Sequence, residues 1–333
     1  MDAVSLAYFW AAVIACSITV YVILDGFDLG VGILFGLTRE GEIRVPMLHA
    51  IAPFWDGNET WLILIAATLF GAFPSVYATF LSAFYLPALL LLLGLIFRGV
   101  AFEFRGRAGR LRALWDVGFS LGSTVVAFVQ GAAIGAMIEE LPVVDGRFAG
   151  DAWSWLSPFA LLCGLGLVCG YALLGAGWLV HKTAGPARDW AYRRIGWLLL
   201  ASILTIAGAL LFTLDTHLRV LDFWASRQWL LIFPVIGLLA AMGILAGVLL
   251  RRDEIPFRAT AVLFLAAFAC LAGSFWPYMV PYSITIETAA APLASLTFLF
   301  YGAGLVVFPL VLAYTIGVYA VFRGKLHDGY DEP

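Results

Sequence analysis

The amino-acid sequence predicts an all-α, polytopic membrane protein with one integral membrane domain over residues 1–333. Two observations indicate this class. The chain is 63% hydrophobic and only 12% charged, whereas soluble domains are nearer half apolar and a quarter charged. Its apolar stretches also reach the roughly 20 residues that a helix needs to cross the hydrocarbon core. The net charge of -3 gives no sign of a surface for nucleic acids.

Nine apolar stretches are long enough to be transmembrane helices. They cover residues 4–36, 47–70, 75–97, 115–138, 157–180, 195–214, 229–250, 257–278 and 297–322. Glycines at four-residue spacing, such as Gly26 with Gly30, and the run from Gly175 to Gly177 predict close contacts between helices. No Lys or Arg precedes Arg39. The first stretch therefore lacks the basic region of a signal peptide, and we expect it to be kept as a helix.

The basic residues predict which loops face the cytoplasm. When successive loops are assigned to alternate sides, all of the 19 Lys and Arg residues fall on one side except Arg147, Arg219 and Arg227. The positive-inside rule makes the richer side cytoplasmic. The N-terminus is then outside and the C-terminus cytoplasmic, which requires an odd number of spans and favours nine.

Acidic side chains interrupt the first two predicted spans. Asp25 and Asp28 lie toward the cytoplasmic end of the first span, and Asp56 and Glu59 lie about two to three turns into the second. An acid at mid-membrane costs about 2.5–3.5 kcal/mol, so we expect these side chains to face protein, water or a proton path. Each pair is spaced i, i+3 and shares a helix face. With Glu103 in a cytoplasmic loop, they predict an array of carboxylates that reaches into the membrane.

The same acids could instead lock helices together. Asp25 and Asp28 could be helix-end residues that pair with Arg39, Arg44 or Arg98 and serve assembly alone. Asp116 at the start of the fourth span is typical of a helix-end charge. Under this alternative the chain is a scaffold. A proton-coupled secondary transporter would also explain acids within the membrane, but such folds usually have inverted repeats and broken helices, and neither is evident in the sequence.

Cofactor ligands are sparse. The four histidines are His49, His181, His217 and His327. No two of them are placed to project across a common bundle core, as a bis-His heme site requires. The four cysteines lie in apolar spans and lack the spacing of a metal site. The sequence therefore predicts that this chain alone binds no heme or metal.

Five motifs resemble those of subunit II of cytochrome bd-type quinol oxidases. They are ILDGFDLGVG (23–32), APFWDGNETWLI (52–63), FRGVAFEFR (97–105), WPYMVPYSITI (276–286) and VFPLVLAYT (307–315). The similarity extends from end to end of the chain, and the stretch 277–292 is similar to the cyanide-insensitive branch.

The resemblance implies a subunit of a respiratory terminal oxidase in the bacterial plasma (inner) membrane. In this family the chain forms a heterodimer with a subunit I that carries hemes b and d, or b in place of d. The complex takes quinol and O2 as substrates, small accessory membrane subunits can join it, and a quinone or lipid can occupy subunit II.

The resemblance also implies roles for individual residues. Asp25 and Asp56 fall on acids associated with proton supply from the cytoplasm, and Glu103 falls on an acid of the same path. Asp28 and Glu59 are their neighbours in the two motifs.

An oxygen route is implied as well. Trp61 falls where this route begins in some members, and Arg98 falls on a basic residue near it. The chain departs from some members at Phe54, where they have His, and at Glu103 and Phe104, where they have Asp and Tyr.

Overall fold

The computed structural model describes residues 2–216 and 218–326, and it confirms the all-α class. His217 and His327, considered above as heme ligands, lie outside the described residues. The α-helices are α1 (Ala3–Phe35), α2 (Gly41–Ile51), α3 (Trp55–Ala72), α4 (Pro74–Ala83), α5 (Tyr85–Phe104), α6 (Arg112–Ile138), α7 (Pro158–Lys182), α8 (Gly185–Asp215), α9 (Val220–Ser226), α10 (Ile232–Leu249), α11 (Ile255–Phe275), α12 (Ile286–Ala289), α13 (Leu293–Leu299) and α14 (Phe308–Val321).

Short irregular elements connect these helices. Antiparallel strand pairs close two of the loops, with β1 (Val143–Val144) against β2 (Arg147–Phe148) and β3 (Tyr278–Val280) against β4 (Ile284–Thr285). Three short 3₁₀ turns cover Arg105–Arg107, Gly109–Leu111 and Gln228–Leu231, and a π-helical segment covers Phe300–Val307. The π-helical segment joins α13 to α14 without a loop, so the three form one long helical rod.

Eight helical segments within the described residues are long and apolar enough to cross a membrane. They are Ala3–Phe35, Tyr85–Arg107, Gly109–Ile138, Pro158–Lys182, Gly185–Asp215, Gln228–Leu249, Ile255–Phe275 and Leu293–Val321. Each overlaps one of the nine predicted stretches. The remaining stretch, 47–70, is divided between α2 and α3. The count of nine spans and the orientation of the termini therefore stay predictions.

The division of the second predicted stretch has a local cause. α2 ends at Ile51, and Pro53 has no N–H with which to continue the helical ladder. Phe54 instead donates to the Ile51 carbonyl in a tighter turn, at 2.9 Å. α3 then begins at Trp55, so Asp56 lies in its first turn, where a negative charge is favourable beside the helix N-terminus. The expected position of Asp56, well inside one continuous helix, is therefore wrong.

Helix α1 forms the centre of the bundle. It contacts α3, α6 and α7, and its residues from Asp25 to Phe35 are buried without interruption. The crossing with α7 depends on glycine, as predicted. A Cβ atom at Gly30 would lie 1.8 Å from the Tyr171 carbonyl oxygen, and one at Gly175 would lie 2.5 Å from the Gly30 carbonyl carbon. The two backbones approach this closely because neither position has a side chain.

A network around Asp253 closes the end of the bundle that holds most of the basic residues. Arg188 donates to the Asp253 carboxylate from Nη2 at 2.7 Å, Tyr192 donates from its hydroxyl at 2.7 Å, and Lys325 contacts the second carboxylate oxygen. Partial burial opposes ionisation, but these hydrogen bonds outweigh it and hold the pKa of Asp253 well below its ordinary value. The network ties the end of the described chain to the loop between α10 and α11.

Candidate functional site

Three charged side chains meet in the interior of the bundle. Asp25 and Asp28 on α1 are 0% exposed, and Arg98 on α5 is 1% exposed. Arg98 Nη2 lies 2.7 Å from Asp25 Oδ1. Of the two acids considered for an ion pair with Arg98, Asp25 makes this contact. We call Asp25, Asp28 and Arg98 the buried acid cluster.

Neutral side chains hold Asp28. Asn58 on α3 donates from Nδ2 to Asp28 Oδ2 at 2.7 Å and to the Leu24 carbonyl at 3.3 Å. The Tyr319 hydroxyl on α14 donates to Asn58 Oδ1 at 3.0 Å. One amide thus connects α1, α3 and α14, and it fixes one oxygen of the Asp28 carboxylate while the other oxygen has no such partner.

Most of the buried polar atoms that lack a hydrogen-bond partner belong to this cluster. Across residues 2–216 and 218–326, seven buried side-chain polar atoms have no hydrogen-bond partner of good geometry. Six of them belong to the cluster: both Asp25 oxygens, Asp28 Oδ1, and all three Arg98 nitrogens. The 2.7 Å contact between Arg98 and Asp25 is therefore ionic, without an aligned hydrogen bond. Buried polar atoms normally bond to protein or to ordered water, so these six atoms give the cluster capacity for further polar partners.

The charges of the cluster do not balance when all its groups are ionised. Two fully buried carboxylates face one guanidinium, and an unbalanced charge is costly in a medium of low polarity. A single proton on either carboxyl group makes the cluster neutral. The arrangement can therefore hold one proton and exchange it between two sites that lie one helical turn apart.

The other predicted acids lie nearer the surface of this chain. Asp56 and Glu103 are exposed, and Glu59 is half-buried on α3. Asp56 and Glu59 share a face of α3, because they are three residues apart. The structure therefore divides the predicted set by depth into exposed acids, an intermediate acid and the buried acid cluster.

The residues predicted for an oxygen route have separate surroundings. Trp61 is fully buried, its Nε1 donates to Thr315 Oγ1 at 3.2 Å, and its ring meets Phe308 edge-on with 6.1 Å between centroids. It packs α3 against the rod that contains α14. Arg98 belongs to the buried acid cluster. The oxygen route itself stays a prediction.

Asp116 was predicted to be a helix-end charge, but it lies beyond the first turn of α6 and belongs to an ion-paired group. It lies near the start of α6, accepts a hydrogen bond from Arg44 Nη1 at 2.7 Å and contacts Arg105. Arg44 also stacks over the Phe35 ring, with its Cζ 4.3 Å from the ring centroid. This ion-paired group fixes the ends of α1, α2 and α6 to one another.

Sequence reasoning missed the neutral polar residues around the cluster. Besides Asn58 and Tyr319, a chain of hydrogen bonds crosses α7, α6 and α1. The Tyr171 hydroxyl donates to Gln130 Oε1 at 2.9 Å, and Gln130 Nε2 donates to the Tyr21 hydroxyl oxygen at 2.8 Å. The sequence did contain an indication of Asn58 and Gln130, because an amide side chain inside an apolar span is uncommon.

Metal ions in proteins are bound by groups of His, Cys, Asp and Glu side chains. The part of the chain that the structure describes contains no group of three or more His, Cys, Asp or Glu side chains that could hold a metal ion. The four cysteines are free.

Comparison with known proteins identifies the family. The family model described as cytochrome bd terminal oxidase subunit II matches residues 6–322. Cytochrome bd-I ubiquinol oxidase subunit 2 of Escherichia coli is 29% identical over 361 residues, which covers 96% of this chain and 95% of the relative. Probable cytochrome oxidase subunit 2 of Haemophilus influenzae is 28% identical and covers 98% of this chain and 96% of the relative. Cytochrome bd ubiquinol oxidase subunit 2 of Bacillus subtilis is also 28% identical, with 97% of both chains covered.

A solved structure shares the fold. A chain of the bd oxidase from Geobacillus thermodenitrificans matches with a TM-score of 0.75 and 18% identity, covering 96% of this chain and 100% of that chain. The apolar helices and the family match together confirm a multi-pass protein of the inner membrane that is a subunit of a terminal oxidase. The chain belongs to the family of cytochrome bd terminal oxidase subunit II.

Proposed function

We propose that this chain supplies protons from the cytoplasm to a heme-bearing subunit I of a quinol:O2 oxidoreductase, and that the buried acid cluster is the part of the path inside the membrane. Reduction of O2 to water consumes protons, and these must cross protein of low polarity. The observation that carries the proposal is the set of six buried polar atoms in Asp25, Asp28 and Arg98 without aligned partners. Ordered water at these atoms would connect the carboxylates to one another.

The proposed path follows the depth of the acids. Asp56 and Glu103 take up protons at the surface, Glu59 receives them at intermediate depth, and Asp28 and Asp25 carry them inside the bundle. This order is supported by the change from exposed to half-buried to fully buried side chains. The cytoplasmic direction rests on the asymmetry of the basic residues.

Arg98 makes the inner part of the path electrically feasible. Its single positive charge offsets one carboxylate at 2.7 Å from Asp25, so the cluster alternates between a net charge of zero and minus one as a proton arrives and leaves. Without a cation, the same exchange would pass through two buried negative charges, which is far more costly. Asn58 holds Asp28 in place during the exchange.

The partner subunit completes the proposal. Hemes b and d, or b in place of d, belong to subunit I, and this chain supports that subunit along its exposed apolar helix faces. Small accessory subunits, a bound quinone or lipid, and an oxygen route through Trp61 and Arg98 remain predictions. The rival hypothesis of a proton-coupled transporter has no observation that favours it over the family role.

The test uses the intact complex with Asp28→Asn or Asp56→Asn in this chain. We expect unchanged heme absorption and a loss of quinol-driven O2 consumption of at least about tenfold for Asp28→Asn, because the amide cannot carry a proton. Asp56→Asn should have a smaller effect, since the exposed Glu103 offers a parallel point of uptake. Glu254→Gln is the matched control, because Glu254 is exposed and is the N-cap residue of α11, where it pairs with Arg258 of that helix at 2.8 Å.

Two results would contradict the proposal. Unchanged turnover in Asp28→Asn would exclude this acid from proton supply. Loss of the hemes together with turnover, in every variant of the buried acid cluster, would favour a scaffold whose charges only lock helices together.

A further inference from the structure

A second set of polar residues lies beside the buried acid cluster, on the side away from Asp28. Tyr21 and Tyr171 are buried, and Gln130 is half-buried between them. They belong to α1, α7 and α6 respectively. Two hydrogen bonds of 2.8 and 2.9 Å join the three side chains, so the set is held together across three helices.

The hydrogen bonds in this set have a definite direction. The Tyr171 hydroxyl donates to the Gln130 carbonyl oxygen, and the Gln130 amide nitrogen donates to the Tyr21 oxygen. A hydroxyl carries one proton and accepts through lone pairs. Because the Tyr21 oxygen already accepts from Gln130, its own proton is free to be donated to another acceptor.

The acceptor in reach is the Asp25 carboxylate. Tyr21 and Asp25 are four residues apart on α1, a spacing at which side chains are neighbours on one helix face, and both are buried, with 4% and 0% exposure. Neither Asp25 oxygen has an aligned partner in the described part of the chain. A hydrogen bond from the Tyr21 hydroxyl would give one Asp25 oxygen a partner, and the proton it needs is the one that Gln130 leaves free.

We propose that Tyr21, Gln130 and Tyr171 are positioning residues for Asp25: they fix the Tyr21 hydroxyl as a donor to the Asp25 carboxylate. The inference rests on the proposed function of Asp25 in proton supply.

Other groups that face Asp25 are part of the same electrostatic environment. The titratable and charged side chains that interact with Asp25 come from α1, α3, α5, α7 and α14. They are Tyr21, Asp28, Glu59, Arg98, Tyr171 and Tyr319. A test of the positioning role must therefore compare variants that leave all of these in place except one hydroxyl or one amide.

The test is the pH profile of quinol-driven O2 consumption by the intact complex with Tyr21→Phe. A hydrogen bond donated to a carboxylate stabilises its ionised form, so its loss moves the corresponding ionisation toward higher pH. We expect a displacement of the turnover profile by about one pH unit, with unchanged heme absorption. Gln130→Leu, which keeps the Tyr21 hydroxyl but removes the group that directs it, should displace the profile in the same direction by a smaller amount.

Tyr192→Phe is the matched control, because it also removes one phenolic hydroxyl that bonds to a carboxylate, here Asp253, far along the chain from Asp25. Profiles of Tyr21→Phe and Gln130→Leu that superimpose on the unaltered complex, or an equal displacement in Tyr192→Phe, would overturn the positioning role. If Tyr21→Phe fails to assemble, Gln130→Leu decides alone.

Asp25→Asn separates the two proposals. Full turnover in Asp25→Asn refutes proton supply itself, whereas slow turnover with an undisplaced Tyr21→Phe profile refutes positioning only.

Discussion

Removal of the only cation in the buried acid cluster should destabilise the protein strongly. Arg98→Met keeps most of the side-chain length but removes the positive charge that lies 2.7 Å from Asp25 Oδ1. Asp25 and Asp28 are then two carboxyl groups with 0% exposure and no counter-charge within the cluster. Breaking a buried ion pair by removing one partner typically costs about 3–5 kcal/mol.

The protein can limit this cost by taking up a proton on one carboxyl group, and the free energy of that protonation sets the limit. Protonating a carboxyl group with an ordinary pKa of about 3.9 at pH 7 costs about 4 kcal/mol, at about 1.36 kcal/mol for each pH unit. The two estimates agree, so we expect Arg98→Met to lower the free energy of unfolding by about 3–5 kcal/mol. Adding Asp25→Asn removes the unpaired charge and should recover most of the loss.

The assay is the thermal midpoint of the purified complex, followed by heme absorption and by the fraction that stays soluble. Arg219→Met is the matched control, because Arg219 and Glu140 are also in close contact, at 2.6 Å, but are 60% and 39% exposed. Exposed ion pairs contribute little to stability, so this variant should have the same thermal midpoint as the unaltered complex. An Arg98→Met complex as stable as the control, or a double variant no more stable than Arg98→Met, would refute the reasoning.

Two further changes test the fold. Gly30→Ala places a methyl group 1.8 Å from the Tyr171 carbonyl oxygen, so α1 and α7 must separate, and we expect a marked loss of assembled complex. Gly317→Ala is the control: a Cβ atom at Gly317 meets open space, so this variant should assemble normally. Asp253→Asn tests the network at the end of the bundle. Because the pKa of Asp253 is held below its ordinary value, its stabilising contribution is complete above about pH 4 and fades as the pH falls below that value. The thermal midpoint of Asp253→Asn should therefore lie below that of the unaltered complex at pH 7, with the difference shrinking toward pH 3; a constant difference would contradict the assignment.

The sequence was sufficient for the properties that depend on composition along the chain. Hydropathy locates the long helices, because burial in lipid requires a continuous apolar stretch. It also singles out Asp25 and Asp28, because charges are rare in such stretches. The glycines of the α1–α7 crossing were identified in the same way, since small residues permit close approach of helices.

Properties that depend on which helices meet could not be predicted from the sequence. Arg98 lies 73 residues after Asp25, and the choice of Asp25 over Asp28 as its partner depends on the rotation of α1 against α5. The break at residues 52–54 escaped a hydropathy analysis, which averages over Pro53. Asn58 and Gln130 were overlooked because a neutral amide perturbs the hydropathy of a span less than a charge does, although both complete the surroundings of the acids.

The measurement that tests the central claim most directly is proton uptake itself. The fully reduced complex is mixed with O2, and the rate of proton uptake from the medium is followed with a soluble pH indicator beside the heme signal. With Asp28→Asn, we predict that proton uptake slows at least about tenfold while the first reaction of the heme with O2 keeps its rate, and that Glu254→Gln changes neither. Proton uptake at the unaltered rate in Asp28→Asn would contradict a path through the buried acid cluster.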